Sequence, residues 1–482
     1  MNRQIGRVAA VTFLLFGALF INLNIITLLQ ADELANHPSN RRLILREYAI
    51  ERGPIVAGEE AIARSVPTDG EFQYLRTYPD SELYAHLTGY YSIQLQRSGL
   101  ERALNEDLTG RSTEVVAQNL GELLGGSERP GNAVQLSIEP AVQRAARSAL
   151  DGREGAVVAL DPRTGAVLAS YANPTFDPNP LSGHDRRVIN DTWAALNERD
   201  DRPLIDRTRA ETYPPGSVFK LVVAAAALES GLEPTTLFPD EGVYDVPQTQ
   251  ANIGNFSGGV CDDGDEISLT DAMRVSCNTV FARLGVELGD DALRDQAERF
   301  GFNDAPPFDL GVTDSIFPRE LDVPSLAQSA IGQRDVRATP LQMAVLAGSI
   351  ANGGQLMRPH VVDAVRDPDG AQLRGPDVGR WTGPPGGGLP ISPRTAQQLR
   401  SMMLDVVNSG TGTAARIDGV EVGGKTGTAQ TGGDPVAWFV GFAGEEVAIA
   451  VMVPGAGSDA TGGAVAAPIA RSVLSAALEA RP

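Results

Sequence analysis

The amino-acid sequence predicts an α/β sandwich in which helices pack on an antiparallel sheet. Apolar, strand-like segments occur on both sides of a central region, at 155–171 and at 422–453. Between them lies an unusually apolar helical segment, Ser217 to Leu228. A helix that is apolar on nearly all sides must be buried, so this segment is expected inside the sandwich, with the strands forming the sheet around it.

Local patterns predict the individual elements. Helical periodicity is present at 112–124, Pro140–Leu150, Ser217–Leu228 and about Pro468–Leu478. Strands are expected at Gly155–Leu160, Ala166–Tyr171, Val422–Gln430, Ala437–Ala443 and Val447–Val453. The turn Asp161–Gly165 joins the first two strands as a hairpin, and Gly432–Pro435 joins the third to the fourth.

Length and charge exclude some classes of function. The chain has 482 residues, 42% of them hydrophobic, and a formal net charge of −21. This length allows two or three domains with a substantial core, and the composition is that of a folded protein. The net charge argues against nucleic acid as a partner, because a strongly acidic surface repels phosphate.

The N-terminus contains a predicted membrane anchor. Residues Val8 to Ala31 carry no charge and are mostly apolar, which is enough to cross a hydrocarbon core of ~30 Å as one helix. The run is longer than the ~7–15 apolar residues of a signal peptide, and Leu29 spoils a cleavage site at Ala31. Arg3 and Arg7 favour a cytoplasmic N-terminus, so the rest of the chain is expected to be extracytoplasmic.

Three regions follow from these features. Residues 1–32 form the cytoplasmic tip and the anchor. Residues 33–132 form a first extracytoplasmic module, which ends in a linker-like stretch at 125–132 that is rich in Gly, Ser and Pro. Residues 133–482 contain the predicted sandwich.

The two cysteines, Cys261 and Cys277, have two interpretations. Outside the cell membrane they can form a disulfide that closes a loop and stabilises the fold by ~3 kcal/mol. The alternative is two buried free thiols. The acidic run at 261–266 lacks the glutamate spacing of a calcium loop and is interpreted as a solvated loop. No zinc-binding spacing is present, and the four scattered histidines do not suggest a catalytic triad.

Lysine is rare in this chain and is found in two motifs. Of the 40 basic residues only Lys220 and Lys425 are lysines. Ser217 follows the helix-breaking Pro214–Gly216 and precedes Lys220 by three residues, so both side chains share one helix face. Lysine can lose its proton when it is desolvated or near another cation, whereas arginine cannot. The motif therefore suits a serine nucleophile with a lysine base; the alternative is a capping serine near a lysine by chance.

Two further motifs are candidates for the same site. Lys425 lies on a predicted strand, where Thr426 and Thr428 share one face and suit a carboxylate, and Gly427 leaves room for a ligand. The alternative is a surface strand with a glycine bulge. The third motif, Ser276-Cys-Asn278, falls between helical runs at 269–275 and 279–288, where Asn278 could instead only cap the second run.

In this order the three motifs resemble those of penicilloyl serine transferases: Ser-x-x-Lys, Ser-x-Asn and Lys-Thr-Gly. The wider resemblance is to class B penicillin-binding proteins, most of all the actinobacterial penicillin-binding protein A branch. The segments that carry it are Val158–Ser170, Pro174–Asn179, Ala330–Gln333, 332–336, Thr339–Ala344, Ile350–Gly354 and Ala437–Phe442, with weaker matches at Arg52–Ile55 and Gly99–Glu101.

This resemblance implies a fold, an activity and a set of roles. The fold is an antiparallel five-stranded sheet sandwiched by helices, with an N-terminal α+β pedestal module and one transmembrane helix. The activity is peptidoglycan D,D-transpeptidation without a metal or cofactor. Ser217 is implied to be the nucleophile and Lys220 its base, with a proton relay through Ser276 and Lys425. The remaining implied roles are substrate contacts: the amide with Asn278, the terminal carboxylate with Thr426 and Thr428, and the oxyanion with the N–H groups of Ser217 and Thr428.

Other functions remain open at this point. A D,D-carboxypeptidase differs only in passing the acyl group to water. A β-lactamase is disfavoured by the anchor, the extra module and the length. A non-catalytic scaffold would activate a membrane glycosyltransferase through the anchor and residues 33–132. The partners implied by the resemblance are D-Ala-D-Ala stem peptides, β-lactams and a multispanning glycosyltransferase.

Overall fold

The computed structural model describes residues 2–26, 45, 47–111, 129–256, 258–381, 388–457 and 460–481. The first helix, α1, spans Asn2–Asn24 and its side chains are mostly exposed. Its segment Arg3–Asn24 is long and apolar enough to cross a membrane. The helix thus begins six residues before the apolar run that predicted it, and the last residues of that run, 27–31, lie outside the described residues.

The other helices and the strands are numbered along the chain. The described helices are α2 (Ser81–Thr88), α3 (Gly99–Ala103), α4 (Asn105–Leu108), α5 (Pro140–Leu150), α6 (Asn179–Ser182), α7 (Arg186–Asn197), α8 (Lys220–Glu229), α9 (Leu269–Arg274), α10 (Asn278–Leu288), α11 (Asp290–Arg299), α12 (Val323–Ala330), α13 (Pro340–Ala351), α14 (Pro393–Ser409) and α15 (Gly462–Glu479). The described strands are β1 (Ile55–Ala57), β2 (Glu60–Pro67), β3 (Tyr74–Thr77), β4 (Tyr91–Ser92), β5 (Gln96–Arg97), β6 (Ala133–Leu136), β7 (Gly155–Leu160), β8 (Val167–Asn173), β9 (Leu237–Pro239), β10 (Val243–Asp245), β11 (Asn252–Gly254), β12 (Glu266–Ser268), β13 (Val362–Arg366), β14 (Gln372–Arg374), β15 (Val422–Ala429), β16 (Val436–Ala443) and β17 (Val447–Val453).

The core sheet has five strands in the order β15-β16-β17-β7-β8, and every pairing in it is antiparallel. All residues of β16 and β17 are buried. Successive residues of a strand point to opposite faces, so both faces of the sheet are covered. Helices α13, α14 and α15 pack against the sheet, and α5 packs on α15. The predicted α/β sandwich with a five-stranded antiparallel sheet is confirmed.

Helix α8 is buried as its composition predicted. Lys220 through Leu228 are all buried, and the helix packs against α10, α11 and α14. Because α8 has no polar stripe, it is covered on all sides and holds its first residue in a fixed position within the protein interior. That first residue is the lysine of the Ser-x-x-Lys motif.

The last helix differs from its prediction. Helix α15 begins at Gly462, six residues before Pro468, which the sequence suggested as its start. The Thr461 side chain caps it by accepting from the N–H of Ala464. A Cβ on Gly462 would lie 2.2 Å from the carbonyl oxygen of Trp438. The Gly-Gly pair at 462–463 resembles a loop in sequence. In the structure it begins the helix, and the missing side chain of Gly462 lets the helix approach the sheet closely.

A second, six-stranded sheet has the order β14-β13-β6-β1-β2-β3. Strand β6 pairs in parallel with β1 and antiparallel with β13. Strands from both sides of the predicted boundary at 132/133 therefore share one sheet, which joins the first module to the sandwich. The predicted helix at 112–124 and residues 125–128 of the linker lie outside the described residues.

Candidate active site

The segment before Lys220 forms a tight turn that presents Ser217. Residues Gly216–Phe219 are a 3-10 helix, and the N–H of Lys220 donates to the carbonyl of Ser217. In a 3-10 helix the side chains at i and i+3 are eclipsed, which aligns Ser217 with Lys220. The predicted helix is confirmed, with its first turn wound more tightly than an α-helix.

Two glycines hold this turn in place. The N–H of Gly216 donates to the carbonyl of Gly332 at 2.9 Å, and Gly332 has a φ of 70°. A Cβ on Gly332 would lie 2.0 Å from the oxygen of Gly216. Gly216 itself has a φ of 55° and lies against the backbone of Thr428. Close backbone packing therefore fixes the turn relative to strand β15.

Lys220 is completely buried at the base of the site. Its Nζ donates to the carbonyl of Ser276 and to Oδ1 of Asn278, both at 2.7 Å, and lies 3.3 Å from the Ser276 hydroxyl. The Ser217 hydroxyl is not one of these partners. Catalytic hydrogen bonds are often long or absent without substrate. A proton transfer from Ser217 to Lys220 is therefore compatible with this structure.

Lys425 reaches the same hydroxyl from strand β15. Its Nζ donates to Oγ of Ser276 at 2.8 Å and to the carbonyl of Thr426 at 2.9 Å, and the side chain is completely buried. Ser276 has a φ of 65°, a strained conformation for a residue with a Cβ. The Ser276 hydroxyl thus joins the two lysine amines of the chain.

Both lysine amines are buried without a carboxylate partner in the described part of the chain, and this lowers their pKa values. The hydrogen-bond acceptors of the two lysines are hydroxyl, amide and carbonyl oxygens among the described residues. Burial, and then repulsion from Lys425, lowers the pKa of Lys220 well below its ordinary value. Burial lowers the pKa of Lys425 to about 7. The arrangement favours a neutral Lys220 beside a charged Lys425.

The strand that carries Lys425 also provides two threonines to a cavity. Thr426 and Thr428 both line it, as their alternation predicted, whereas Lys425 does not. The Thr426 and Thr411 hydroxyls are 2.6 Å apart, and the Thr428 hydroxyl accepts from the N–H of Gly462. These contacts fix two hydroxyls on one wall of the cavity.

Gly427 has a different neighbour from the one that the sequence suggested. A Cβ there would lie 2.7 Å from the carbonyl oxygen of Pro215 and 3.2 Å from Trp438. The close approach that Gly427 permits is therefore that of the nucleophile turn to β15. It brings Ser217 and Thr428 to the same cavity.

The cavity has a volume of about 830 Å³. Five of the predicted site residues line it: Ser217, Ser276, Asn278, Thr426 and Thr428. Lys220, Lys425 and Gly427 lie behind this lining. The three motifs, far apart in sequence, therefore form one site, with two buried lysine amines beneath a wall of hydroxyl and amide groups.

A polar side chain that the sequence analysis missed holds the Ser-x-Asn motif. Oδ1 of Asn255 accepts from the N–H groups of Asn278 and Thr279 at 2.9 and 3.1 Å, and Nδ2 of Asn278 donates to the carbonyl of Gly254. Helix α10 has Cys277 at its N-cap position, so the alternative that Asn278 only caps this helix is wrong. The signal available in the sequence was the Gly-Asn pair at 254–255, a turn sequence.

The two cysteines form a disulfide, which decides between the two interpretations. Cys277 is the middle residue of the Ser-x-Asn motif, and Cys261 also lines the cavity. The neighbouring Asp240 carboxylate accepts from the N–H groups of Cys261 and Asp262, at 2.7 and 2.6 Å. Because both sulfurs are used by the disulfide, the cluster of Asp240 with the two cysteines is a structural tether rather than a metal site.

Comparison with known proteins identifies the family. Residues 155–475 match the penicillin binding protein transpeptidase domain, and residues 52–134 match the penicillin binding protein A dimerisation domain. The first match covers more than half of the chain, so the chain belongs to the penicillin-binding protein transpeptidase family.

Particular relatives refine the assignment. The chain is 40% identical to "Peptidoglycan D,D-transpeptidase PbpA" of Mycolicibacterium smegmatis, over 99% of both chains, and 38% identical to the protein so named in Mycobacterium tuberculosis, over the full length of both. It superposes on the ceftriaxone acyl-enzyme of M. tuberculosis penicillin-binding protein A with a TM-score of 0.86, covering 90% of this chain and all of the other. The resemblance to the actinobacterial branch is confirmed.

Proposed function

We propose that this chain is a peptidoglycan D,D-transpeptidase that crosslinks stem peptides through an acyl-enzyme on Ser217. One observation carries the proposal: two buried lysine amines share the hydroxyl of Ser276 beside a cavity that Ser217 lines. Such a cluster can move a proton at neutral pH because neither amine is neutralised by a carboxylate. The relatives named as D,D-transpeptidases, and the β-lactam acyl-enzyme of one of them, support the same reaction.

Acylation begins with proton removal from Ser217. Neutral Lys220 takes the proton of the Ser217 hydroxyl while Oγ attacks the carbonyl carbon of the penultimate D-alanine. The negative charge that develops on the carbonyl oxygen is stabilised by the N–H groups of Ser217 and Thr428, each such donor contributing ~3–4 kcal/mol. The contact of the nucleophile turn with β15 supports this placement, since it brings the two backbone segments together.

The leaving D-alanine must receive a proton when its C–N bond breaks. Ser276 is suited to donate it, because its hydroxyl contacts both amines. Lys220, protonated once it has taken the Ser217 proton, donates through the 3.3 Å contact to the Ser276 oxygen while Ser276 gives its own proton to the leaving nitrogen. After the relay, the proton taken from Ser217 leaves on the D-alanine amine, and Lys220 is neutral again.

Substrate is held by hydrogen bonds on the cavity wall. The hydroxyls of Thr426 and Thr428 take the terminal carboxylate. The amide of Asn278 uses one N–H for Gly254 and Oδ1 for Lys220, which leaves its second N–H for a substrate carbonyl. Deacylation then repeats the chemistry: the amine of a second stem peptide attacks the ester, Lys220 accepts its proton and Ser217 recovers one.

The surroundings of the reaction are part of the proposal. The N-terminal apolar helix anchors the chain, with residues 1–32 as cytoplasmic tip and anchor, 33–132 as pedestal module and 133–482 as the extracytoplasmic transpeptidase domain. Arg3 and Arg7 support this orientation. A multispanning membrane glycosyltransferase would supply the glycan strands to be crosslinked. A reporter that is active only outside the cytoplasm, fused at the C-terminus, tests the orientation: it should be active, and an expressed but inactive fusion contradicts the orientation.

Covalent labelling with a fluorescent penicillin tests the enzymatic proposal. The wild-type chain should be labelled, and Ser217→Ala should not be, with equal folding shown by thermal unfolding. Absence of label on folded wild type overturns the enzyme, and equal label on the variant overturns Ser217 as the nucleophile. Released D-alanine and crosslinked product are then measured with and without an acceptor amine. Release that produces no crosslink when acceptor is present identifies a carboxypeptidase instead.

A further inference from the structure

The cavity lining contains one charged side chain among the described residues, Arg334. The other lining residues are neutral, and both lysines lie behind the surface. In a chain of net charge −21, the charged side chain that lines the cavity is therefore a cation. The Arg334 side chain is 47% exposed, so it can be reached by a ligand.

The backbone fixes Arg334 relative to the nucleophile. Gly332, two residues earlier, accepts the hydrogen bond from Gly216, the residue before Ser217. Two residues span at most about 7 Å, so the backbone of Arg334 lies near the nucleophile turn. Arg334 itself has a φ of 63°, and the Arg337 guanidinium donates to its carbonyl at 2.6 Å. A strained conformation held by its surroundings often marks a functional position.

The Arg334 guanidinium has no close, buried carboxylate partner among the described residues, although the pKa of the exposed Asp322 is lowered by hydrogen bonds and, to a smaller extent, by the charge of this guanidinium. Its acidic contact is the adjacent Asp335, with Nε and Oδ2 3.7 Å apart and the Asp335 side chain 71% exposed. An exposed pair of this kind contributes little energy and is readily exchanged. A planar guanidinium matches a carboxylate through two parallel hydrogen bonds. The terminal carboxylate already has hydroxyl partners in Thr426 and Thr428, so Arg334 is free for another.

We infer that Arg334 binds a second, non-terminal carboxylate of the stem peptide and so distinguishes peptides that carry it from their carboxamide forms. This inference rests on the proposed transpeptidase function. The carboxylate can belong to the acyl donor or to the acceptor strand; the chemistry at Arg334 is the same, and the two are separated by experiment.

The first part of the experiment, the donor arm, asks whether the carboxylate belongs to the acyl donor. It compares benzylpenicillin with carbenicillin, which adds a carboxylate to the same side chain. Acylation rates are measured for the full-length wild type, Arg334→Gln and Arg334→Lys. We expect Arg334→Gln to lower the rate with carbenicillin relative to benzylpenicillin by about tenfold, with Arg334→Lys intermediate. Arg187→Gln is the matched control: Arg187 also has one acidic contact at 3.7 Å but does not line the cavity, and it should leave the ratio unchanged.

The acceptor arm keeps one neutral donor and compares two acceptor amines that differ by a free carboxylate or a carboxamide. A selective loss with Arg334→Gln in this arm assigns the carboxylate to the acceptor, and one in the donor arm assigns it to the donor. Unchanged ratios in both arms, with normal acylation by benzylpenicillin, overturn the inference while the proposed function stands. Absence of acylation by both penicillins in wild type overturns the proposed function instead.

Discussion

A cluster of buried lysines and a cluster of buried arginines, both in the described part of the chain, differ in whether an anion accompanies them. In the active site Lys220 and Lys425 meet at the hydroxyl of Ser276. In the N-terminal module Arg52 and Arg76 meet at the carboxylate of Glu101. Both clusters join segments that are distant in sequence. The partner at the centre is a neutral hydroxyl in one and an anion in the other.

The arginine cluster has a carboxylate at its centre, shared by two guanidinium groups. Arg52 and Arg76 approach the two oxygens of Glu101 at 2.7 and 2.6 Å, and the Tyr78 hydroxyl donates to the same carboxylate. Burial by itself raises the pKa of Glu101, but the two guanidinium groups outweigh it and hold the pKa below its ordinary value. Glu101 and the two guanidinium groups therefore stay charged at physiological pH. They can stabilise the fold but cannot exchange protons.

The lysine cluster has no anion among its described hydrogen-bond partners, and that is the physical basis of its proposed chemistry. With neutral acceptors, burial is not offset, so each amine has a lowered pKa and their repulsion separates the two protonation states. The contrast teaches that burial alone does not mark a reactive cation. Burial in the absence of a counter-ion does, and only lysine can respond by losing its proton.

The largest effect is expected from removing the base. Lys220→Met should lower the rate of acylation by fluorescent penicillin by about 10²–10⁴-fold, the usual contribution of a general base. Its melting temperature should equal or exceed that of wild type, because an uncompensated buried amine is removed. Arg52→Met is the matched control in the other cluster. It should cost about 3–5 kcal/mol of stability, because it breaks a buried ion pair and leaves one oxygen of Glu101 without its guanidinium partner. Equal destabilisation by the two variants would contradict the comparison.

Removing the anion should have the next largest effect, on stability rather than on chemistry. Glu101→Gln leaves two guanidinium groups buried without a counter-ion and should lower the free energy of unfolding by about 3–5 kcal/mol. Glu60→Gln is its control, since Glu60 pairs with Arg144 at 3.1 Å but both side chains are about half exposed. That change should cost at most about 1 kcal/mol. Chemical denaturation measures both, and similar losses would show that burial of the pair is irrelevant.

The pH dependence of the acylation rate tests the separate roles of the two lysines. Acylation needs neutral Lys220, so the rate should rise with pH through the lowered pKa of Lys220, well below its ordinary value. It also needs charged Lys425, so the rate should fall as pH rises through the Lys425 pKa of about 7. On the acid limb and on the alkaline limb of this pH profile, the acylation rate approaches a tenfold change per pH unit. In Lys425→Arg the residual rate should lose the alkaline limb, because a guanidinium stays charged; an unchanged limb would assign it to another group.

The smallest effect is expected at the tether of the Ser-x-Asn motif. Asn255→Ala removes the acceptor for the first two N–H groups of α10 and should cost about 1 kcal/mol of stability, as the loss of a helix cap does. Acylation should slow by less than tenfold, because the disulfide still holds the motif. Asn255→Asp keeps the acceptor and should recover much of the rate. A rate that does not recover would place the importance of Asn255 in its donor contacts to Glu241 and Gly259 instead.

Much of this molecule could be predicted from local pattern. The strands of the core sheet were found within one or two residues, because continuous apolar runs bounded by turn residues are sufficient to define buried strands. Helix α8 and its burial followed from its composition. Ser217, Lys220 and Lys425 were singled out by residue type, since a chain that otherwise uses arginine keeps lysine only at these two positions.

Other features depended on contacts between distant segments. The sequence did not indicate Asn255 as the partner of Asn278, the sharing of one sheet by β1, β6 and β13, or the true start of α15. It also left open whether the cysteines are bonded. Gly427 was expected to face a ligand and instead faces Pro215, because the nucleophile turn packs there.

The sequence by itself therefore determined which elements form and which side chains can carry acyl-transfer chemistry, because propensity, burial pattern and titration depend on residue type. Only the tertiary structure decided that Ser276 lies between the two amines and that no carboxylate among the described residues balances them. The lowered pKa values of Lys220 and Lys425 arise from that placement, because burial without an anion disfavours the charged form of an amine that water would stabilise.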